Sequence, residues 1–273
     1  MVQRSSAVAT HGDYSLGTNE PERLRLLEQC KFLRPAAENL VEQIGVELGW
    51  RTLDVACGPL GILDVLAERV LPRHVGGLER ELRYIAAARQ SLEERGLAEV
   101  ELVQADATAT GLPGDTFDLT HARLLLINVP RPAEVVAEMI RITRPGGYVA
   151  FQDLELGSWT CQPPLPEWDR LKGAFIQVFP GDAGIGGQIA GLLSDAGLVD
   201  LRVAAHCIEA PVGHHFRDYL PYLVELHRQQ ILDSDSLTTA DLDAGLLRIR
   251  EHLADANTRT RYPTLLQVWG RKP

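Results

Sequence analysis

Thr52-Leu-Asp-Val-Ala-Cys-Gly-Pro-Leu-Gly61 runs from a short apolar stretch into a turn with two glycines, and Ile62-Leu-Asp-Val-Leu-Ala-Glu-Arg-Val70 follows with Leu63, Leu66 and Val70 at helical spacing. A strand, a tight turn and a helix in that order open a βαβ unit of the kind that binds nucleotides. Gly58 and Gly61 admit positive φ or close approach of the backbone to a ligand. Ala56 is small enough to leave room for one, and the helix start offers free N–H groups. The next apolar stretch, Val75-Gly-Gly-Leu78, ends in Glu79, an acid placed at the end of a second strand to accept hydrogen bonds from both hydroxyls of a ribose.

A glycine-bearing turn alone leaves a dinucleotide enzyme open, and the downstream segments decide against it. Val100-Glu-Leu-Val-Gln-Ala-Asp106 reads as a third strand ending in an acid, and Phe117-Asp-Leu-Thr-His-Ala-Arg123 as a fourth after the loop Gly111-Leu-Pro-Gly-Asp-Thr116. Leu82 to Arg95 and Ala133 to Thr143 read as helices. Arg144-Pro-Gly-Gly-Tyr-Val-Ala-Phe-Gln-Asp153 then turns at Gly146-Gly147 into a fifth strand. This order, with Leu112-Pro113 before Phe117-Asp118 and Arg144-Pro-Gly-Gly147 at their mutual spacing, resembles the class I S-adenosylmethionine (SAM) dependent methyltransferases over roughly Arg51 to Asp153. The chain departs from the family's Asp-x-Gly-x-Gly-x-Gly, which here reads Asp54, Ala56, Gly58 and Leu60, with Gly61 one place later.

The resemblance implies a Rossmann-like seven-stranded α/β sheet, SAM as cofactor and S-adenosylhomocysteine as product. It implies cofactor contacts from Asp54, Ala56 and Gly58, from Glu79 with Arg80 at the ribose, and from Asp106 with Ala107 at the adenine amino group. His121 and Arg123, at the end of the fourth strand, complete that part of the set. Tyr14-Ser-Leu-Gly17 followed by Glu20-x-x-Arg23-Leu24 resembles the N-terminal cap of a bacterial small-molecule, natural-product type methyltransferase group, in which a leading helix closes over SAM. That likeness implies contacts from Tyr14, Arg23 and Gln29, the last two reaching the carboxylate of SAM. A plain surface pair of Glu20 with Arg23 at helical spacing is equally open. Thr18 or Asn19 is the expected N-cap, with Pro21 in the first turn and Leu24, Leu27 and Phe32 as the apolar side. Ala36 to Ile44 reads as a second helix that buries Leu40, Val41 and Ile44.

The organisation expected is one methyltransferase domain over 1–273. Residues 1–33 form the cap and 34–156 the SAM-binding core. The segments 157–186 and 213–261 form a helical lid for the substrate, and 187–212 with 262–273 complete the sheet. Trp159, Trp168, Phe175, Phe179, Phe216, Tyr219 and Tyr222 fall in the two lid segments. Rings facing a cavity there would favour a flat or apolar acceptor; the competing reading is that all seven form the core of the lid itself.

The formal net charge of −10 and pI near 5.3 oppose the basic footprint that nucleic-acid binding requires. Cys30, Cys57, Cys161 and Cys207 show neither zinc-ligand nor disulfide spacing, and no metal is expected. The N-terminus lacks an apolar leader and no stretch of roughly 20 apolar residues occurs, so a cytoplasmic protein without a membrane partner is expected, with homo-oligomers left open. Methyl transfer from a sulfonium is an in-line displacement governed by positioning. A proton-bearing acceptor benefits from a base, for which the candidates are His121, Asp153, Glu155, His214 and His215. The leading function is methylation of a small apolar or aromatic metabolite, as in secondary metabolism. The alternatives are an RNA or protein methyltransferase, or a SAM-binding protein catalysing another reaction.

Overall fold

The computed structural model describes residues Glu20–Pro273, so the expected Tyr14 contact and the Thr18 or Asn19 cap lie outside the described residues. In chain order the elements are α1 (Glu20–Ile44), β1 (Thr52–Val55), α2 (Leu63–Arg69), β2 (Val75–Glu79), α3 (Leu82–Glu93), β3 (Glu101–Gln104), β4 (Phe117–Arg123), α4 (Pro132–Ile142) and β5 (Thr143–Glu155). Then follow β6 (Thr160–Gln162), α5 (Pro166–Val178), α6 (Ile185–Asp195), β7 (Val199–His206), β8 (Glu209–Ala210), α7 (Tyr219–Leu226), α8 (Arg228–Asp233), α9 (Thr239–Ala254), β9 (Arg259–Arg261) and β10 (Thr264–Arg271). Seven strands form one sheet in the order β3-β2-β1-β4-β5-β10-β7, the Rossmann-like α/β architecture expected from the sequence. All four residues of β1 are buried, which explains why Thr-Leu-Asp-Val shows no polar alternation: a central parallel strand is covered on both faces. Its parallel register pairs Asp54 with Gly77 of β2 on one side and with His121 of β4 on the other.

The chain forms two compact units. The first comprises the described part of Met1–Phe151 with Leu192–Leu201 and Trp269–Pro273; the second comprises Gln152–Gly191 and Arg202–Val268.

In the first unit the leading segment departs from its expected form. A single helix runs unbroken from Glu20 to Ile44 through Pro35, where two helices were expected. Proline removes one intrahelical donor, and the helix persists because its surroundings over-determine it. Leu33, Ala36, Ala37, Leu40, Val41 and Ile44 are buried. Arg34 bonds Glu38 one turn on (2.7 Å), Asp64 of α2 (2.7 Å) and Glu68 of α2 (2.6 Å). Leu24, expected on the apolar side, is instead 51% exposed. Nearer the start of α1, Glu22 and Arg25 form a buried ion pair at 2.6 Å.

The second unit contains a feature absent from the sequence reading, a small sheet in the order β6-β9-β8 whose three strands pair antiparallel. Around it the aromatic residues pack on one another. Trp159 lies 6.1 Å from Trp168, 5.9 Å from Tyr219 and 6.0 Å from Tyr262, ring centre to ring centre, and Phe216 meets Tyr219 edge-on at 5.2 Å. Trp159, Trp168, Phe175, Phe216 and Tyr219 are all buried, while Tyr222 is 49% exposed. The rings expected as a substrate wall are mostly spent as hydrophobic core. Arg217, also buried, donates to the carbonyls of Leu253 (2.9 Å) and Asp255 (2.8 Å), closing the C-terminal end of α9.

Candidate cofactor site

Parallel strands release their polar chemistry at their carboxyl ends, and the first unit gathers there most of the residues singled out in the sequence. Asp54 is the hub. Its Oδ2 accepts the backbone N–H of Ile62 at 2.8 Å, which pins the far side of the turn, and its Oδ1 lies 2.7 Å from Nδ1 of His121. Both side chains are buried, Asp54 at 1% and His121 at 0% exposure. With that burial and that partner His121 acts geometrically as a positioning residue for Asp54. Their pairing follows from the strand register and is invisible in the linear chain.

The turn between them uses left-handed backbone three times, at Ala56 (φ 57°), Gly58 (φ 56°) and Gly61 (φ 56°). Ala56 stands where the family has glycine, and it adopts the glycine conformation despite its methyl group. A left-handed residue with a Cβ costs roughly 1–2 kcal/mol, part of which a glycine would give back as unfolded-chain entropy, about 0.4–1 kcal/mol. Ala56→Gly is therefore expected to stabilise the protein by about 0.5 kcal/mol, read as a small rise in the denaturant midpoint; a clear fall would show that the methyl makes a useful contact. Cys57 is buried, and burial pushes its thiol well above the ordinary range, as befits a packed, unreactive side chain.

Glu79 closes β2 and binds the turn to it. Its Oε2 accepts Gly58 N–H at 3.0 Å, and its Oε1 accepts Arg80 N–H at 2.8 Å and Glu81 N–H at 2.9 Å. Burial pushes its carboxyl above the usual carboxylate range, against the pull of those three donors. Arg80 turns its guanidinium to Glu81 at 3.1 Å. The end of β3 is tied in through Ala105 N–H to the Glu79 carbonyl at 3.2 Å. Asp106 next to it is exposed, and the Thr108 hydroxyl (2.6 Å) and amide (2.8 Å) on its Oδ1 hold its carboxyl below the ordinary value. Ala107 is half-buried beside it.

At the end of β4, Arg123 donates from Nη2 to the Gly61 carbonyl at 2.9 Å, while its Nη1 is buried with no hydrogen-bond partner. The Cys30 thiol of α1 sits against the Gly61 backbone and near that guanidinium; burial pushes its pKa up, with Arg123 opposing. This contact of α1 with the turn was not legible in the sequence, since no pattern marks Cys30. Gln29 is buried on the same helix. Arg23 is engaged by Glu20 through two hydrogen bonds of 2.8 and 2.7 Å, the surface pairing that the helical spacing left open.

The other acid–base candidates belong to the second unit. Asp153 is fully buried on β5 and Glu155 half-buried at its end. His214 accepts the Phe216 N–H at 3.3 Å as the cap of a short helical turn, and the exposed His215 stacks on it at 5.1 Å. Among the described residues no group of His, Cys, Asp and Glu is arranged to hold a metal, and no helix is long and apolar enough to cross a membrane.

An open α/β sheet with an acid at the end of β2, another just past β3, a left-handed turn after β1 and a cation at the end of β4 defines a fold that binds nucleoside cofactors at its strand ends. The family description "Methyltransferase domain" matches residues 53–151. A demethylmenaquinone methyltransferase of Anoxybacillus flavithermus is 31% identical over 177 residues, covering 64% of this chain and 72% of that protein. The enzyme of the same name from Listeria welshimeri is 32% identical over 133 residues, covering 48% of this chain; the chain spans 54% of that relative's length. A Bacillus halodurans structure described as that of a methyltransferase superposes with a TM-score of 0.59 at 19% identity, covering 86% of this chain and 97% of that one, a likeness of fold. The chain belongs to the class I S-adenosylmethionine-dependent methyltransferases.

Proposed function

We propose that this protein methylates a flat, apolar small molecule of the quinol class, using SAM held at the carboxyl ends of β1 to β4. The observation that carries the cofactor half of this reading is the row of unspent polar capacity along those ends. It consists of the exposed Asp106, the Oε2 of Glu79 with one remaining acceptor direction, and the buried, unpartnered Nη1 of Arg123. These fit an adenine amino group, a ribose hydroxyl and a carboxylate in that order. The acceptor half is supported by the relatives named demethylmenaquinone methyltransferase and by the net charge of −10, which disfavours polyanionic acceptors.

When bound, the cofactor supplies a methyl group on a positively charged sulfonium. The protein's part is to hold and to exclude. Asp54, locked by His121 and Ile62, fixes the turn over which that group would lie. Glu79 fixes Gly58 in the same turn, and α1 closes it through Cys30. Orientation of two reactants in this manner is worth up to ~7–11 kcal/mol of barrier, so no side chain need take a direct covalent role. Substrate recognition is assigned to residues 157–186 and 213–261. The test is incubation with methyl-labelled SAM and, in parallel, a demethylated quinol with a short side chain, total RNA and a protein extract. Label is expected in the solvent-extractable quinol. Label in RNA or protein alone, or S-adenosylhomocysteine binding without transfer to any acceptor, would overturn the reading.

A further inference from the structure

We propose that the second unit carries a further ligand site, for the phosphate group of a small phosphorylated molecule, on the exposed face of the β6-β9-β8 sheet; it stands independently of the cofactor reading above. The strand register builds that face. Arg259 lies opposite Gln162 of β6, and Arg261 lies opposite both Thr160 of β6 and Glu209 of β8. Side chains alternate along a strand, so these five share one face, while Cys161, Thr260 and Ala210 between them are buried. Pro164, Leu165 and, in the first turn of α5, Trp168 complete the wall of a cavity of about 410 Å³ over that face. Its volume falls in the range of small-molecule sites, roughly 300–1,000 Å³.

The ion pairing says what the cavity lacks. Glu209 is the acid between the two arginines, 3.9 Å from Arg259 and 3.5 Å from Arg261. A charge-assisted hydrogen bond closes to roughly 2.7–2.9 Å, as Arg228 of the same unit does with Glu225 (2.9 Å) and Asp243 (2.7 Å). Glu209 therefore grips neither guanidinium, and the side chains of Arg259 and Arg261 stay 71% and 63% exposed. Asp169, the other acid on the cavity wall, is balanced by Lys172 at 2.9 Å. Two cations against one loosely held acid leave local positive charge on a chain whose net charge is −10. The arginines stand two residues apart on β9, about 6.6–6.8 Å along the strand. A lone carboxylate, with two oxygens, fills one fork, whereas a phosphate offers three terminal oxygens in a tetrahedral array and can meet both. The Gln162 amide and the Thr160 hydroxyl add neutral donors, and Pro164, Leu165 and Trp168 give the rest of the molecule an apolar wall.

The test is calorimetry on the full chain with phenyl phosphate, inorganic phosphate and benzoate. Phenyl phosphate is expected to bind most tightly of the three, since it engages both forks and the apolar wall. Replacing both arginines together, Arg259→Gln with Arg261→Gln, should weaken it by at least about tenfold. Arg259→Lys keeps the charge and loses the fork, and should weaken it by less. Glu209→Gln removes the competing acid and should strengthen it by roughly two- to fivefold, a gain that a merely structural Glu209 would not produce. All three side chains are exposed, so each variant should unfold at the wild-type midpoint, which checks that it is folded. No binding of phenyl phosphate to the wild type, undiminished affinity in the double variant, or weaker binding in Glu209→Gln would overturn the site. Benzoate binding as tightly as phenyl phosphate would overturn the assignment to phosphate, and inorganic phosphate doing so would overturn the role of the apolar wall.

Discussion

Gly61→Ala is expected to abolish high-affinity cofactor binding and to cost about 3–5 kcal/mol of stability, the largest effect of any single methyl group in the first unit. At φ +56° a side chain is strained wherever it points. Here a Cβ would also fall inside the van der Waals envelope of Asp54 Oδ2 and 2.9 Å from the Cys57 carbonyl. The carboxylate cannot retreat without giving up Ile62 N–H and His121, and both are buried groups whose stranding costs roughly 1–3 kcal/mol apiece. One methyl therefore breaks the strain, packing and hydrogen-bond conditions of the turn together. Thermal unfolding should show a midpoint lowered by roughly 10 °C, and calorimetry no measurable S-adenosylhomocysteine binding. A variant with a wild-type midpoint and affinity would mean that the turn is not held through Asp54. Ala56→Gly is expected to act in the opposite direction, because it removes a Cβ from a left-handed position of the same turn, whereas Gly61→Ala adds one where Asp54 already stands.

That contrast bears on what a sequence can disclose. β1, β2 and β4 were legible because central parallel strands are short apolar runs bounded by turn residues, and Phe117–Arg123 was read to the residue. Glu79 was legible because an acid at the end of an apolar stretch has few reasons to be there. The Asp54–His121 pair was not, since it depends on which residues of two strands, separated by more than sixty positions, come level. α1 reads in the sequence as two helices, the second starting at Ala36; the ion pairs of Arg34 to α2 that help carry one helix through Pro35 are tertiary. β6, β8 and β9 are two or three residues long, too short for any period to register. The aromatic residues teach the sharpest lesson. Their number in 157–180 and 213–222 was visible, but a ring that packs on Trp159 and a ring that walls a cavity have the same composition, and most of these proved to be core.

The pH dependence of cofactor binding should be set by Glu79, and it should run opposite to the same residue's effect on the empty protein. Burial raises the carboxyl's pKa in the folded chain, so the native state holds its proton to higher pH than the unfolded state does. By linkage the contribution of Glu79 to stability is fully present below the unfolded pKa and is lost as pH rises through the folded one. Ribose hydroxyls, in contrast, donate hydrogen bonds and prefer the ionised form. Three of about four acceptor directions on this carboxylate are taken by Gly58, Arg80 and Glu81 N–H groups, which leaves one on Oε2 for the ligand. Binding must then pull the pKa back down, and affinity should fall, by up to about tenfold per pH unit, as pH drops below the raised value of the free protein. Asp106, held below its ordinary range by Thr108, stays ionised across that window and does not confuse the profile. Glu79→Gln removes the titration and places an amide N–H₂ where an acceptor is needed, either against Gly58 N–H or against the ribose. Its affinity for S-adenosylhomocysteine is expected to be roughly 10- to 100-fold weaker and flat across the same range. The measurement is the rise in thermal midpoint on adding S-adenosylhomocysteine, taken at a series of pH values from acid to neutral. In the wild type that rise should grow with pH while the contribution of Glu79 to the empty protein's stability declines; a rise independent of pH in the wild type, or a variant that follows the wild-type profile, would remove Glu79 from the ribose.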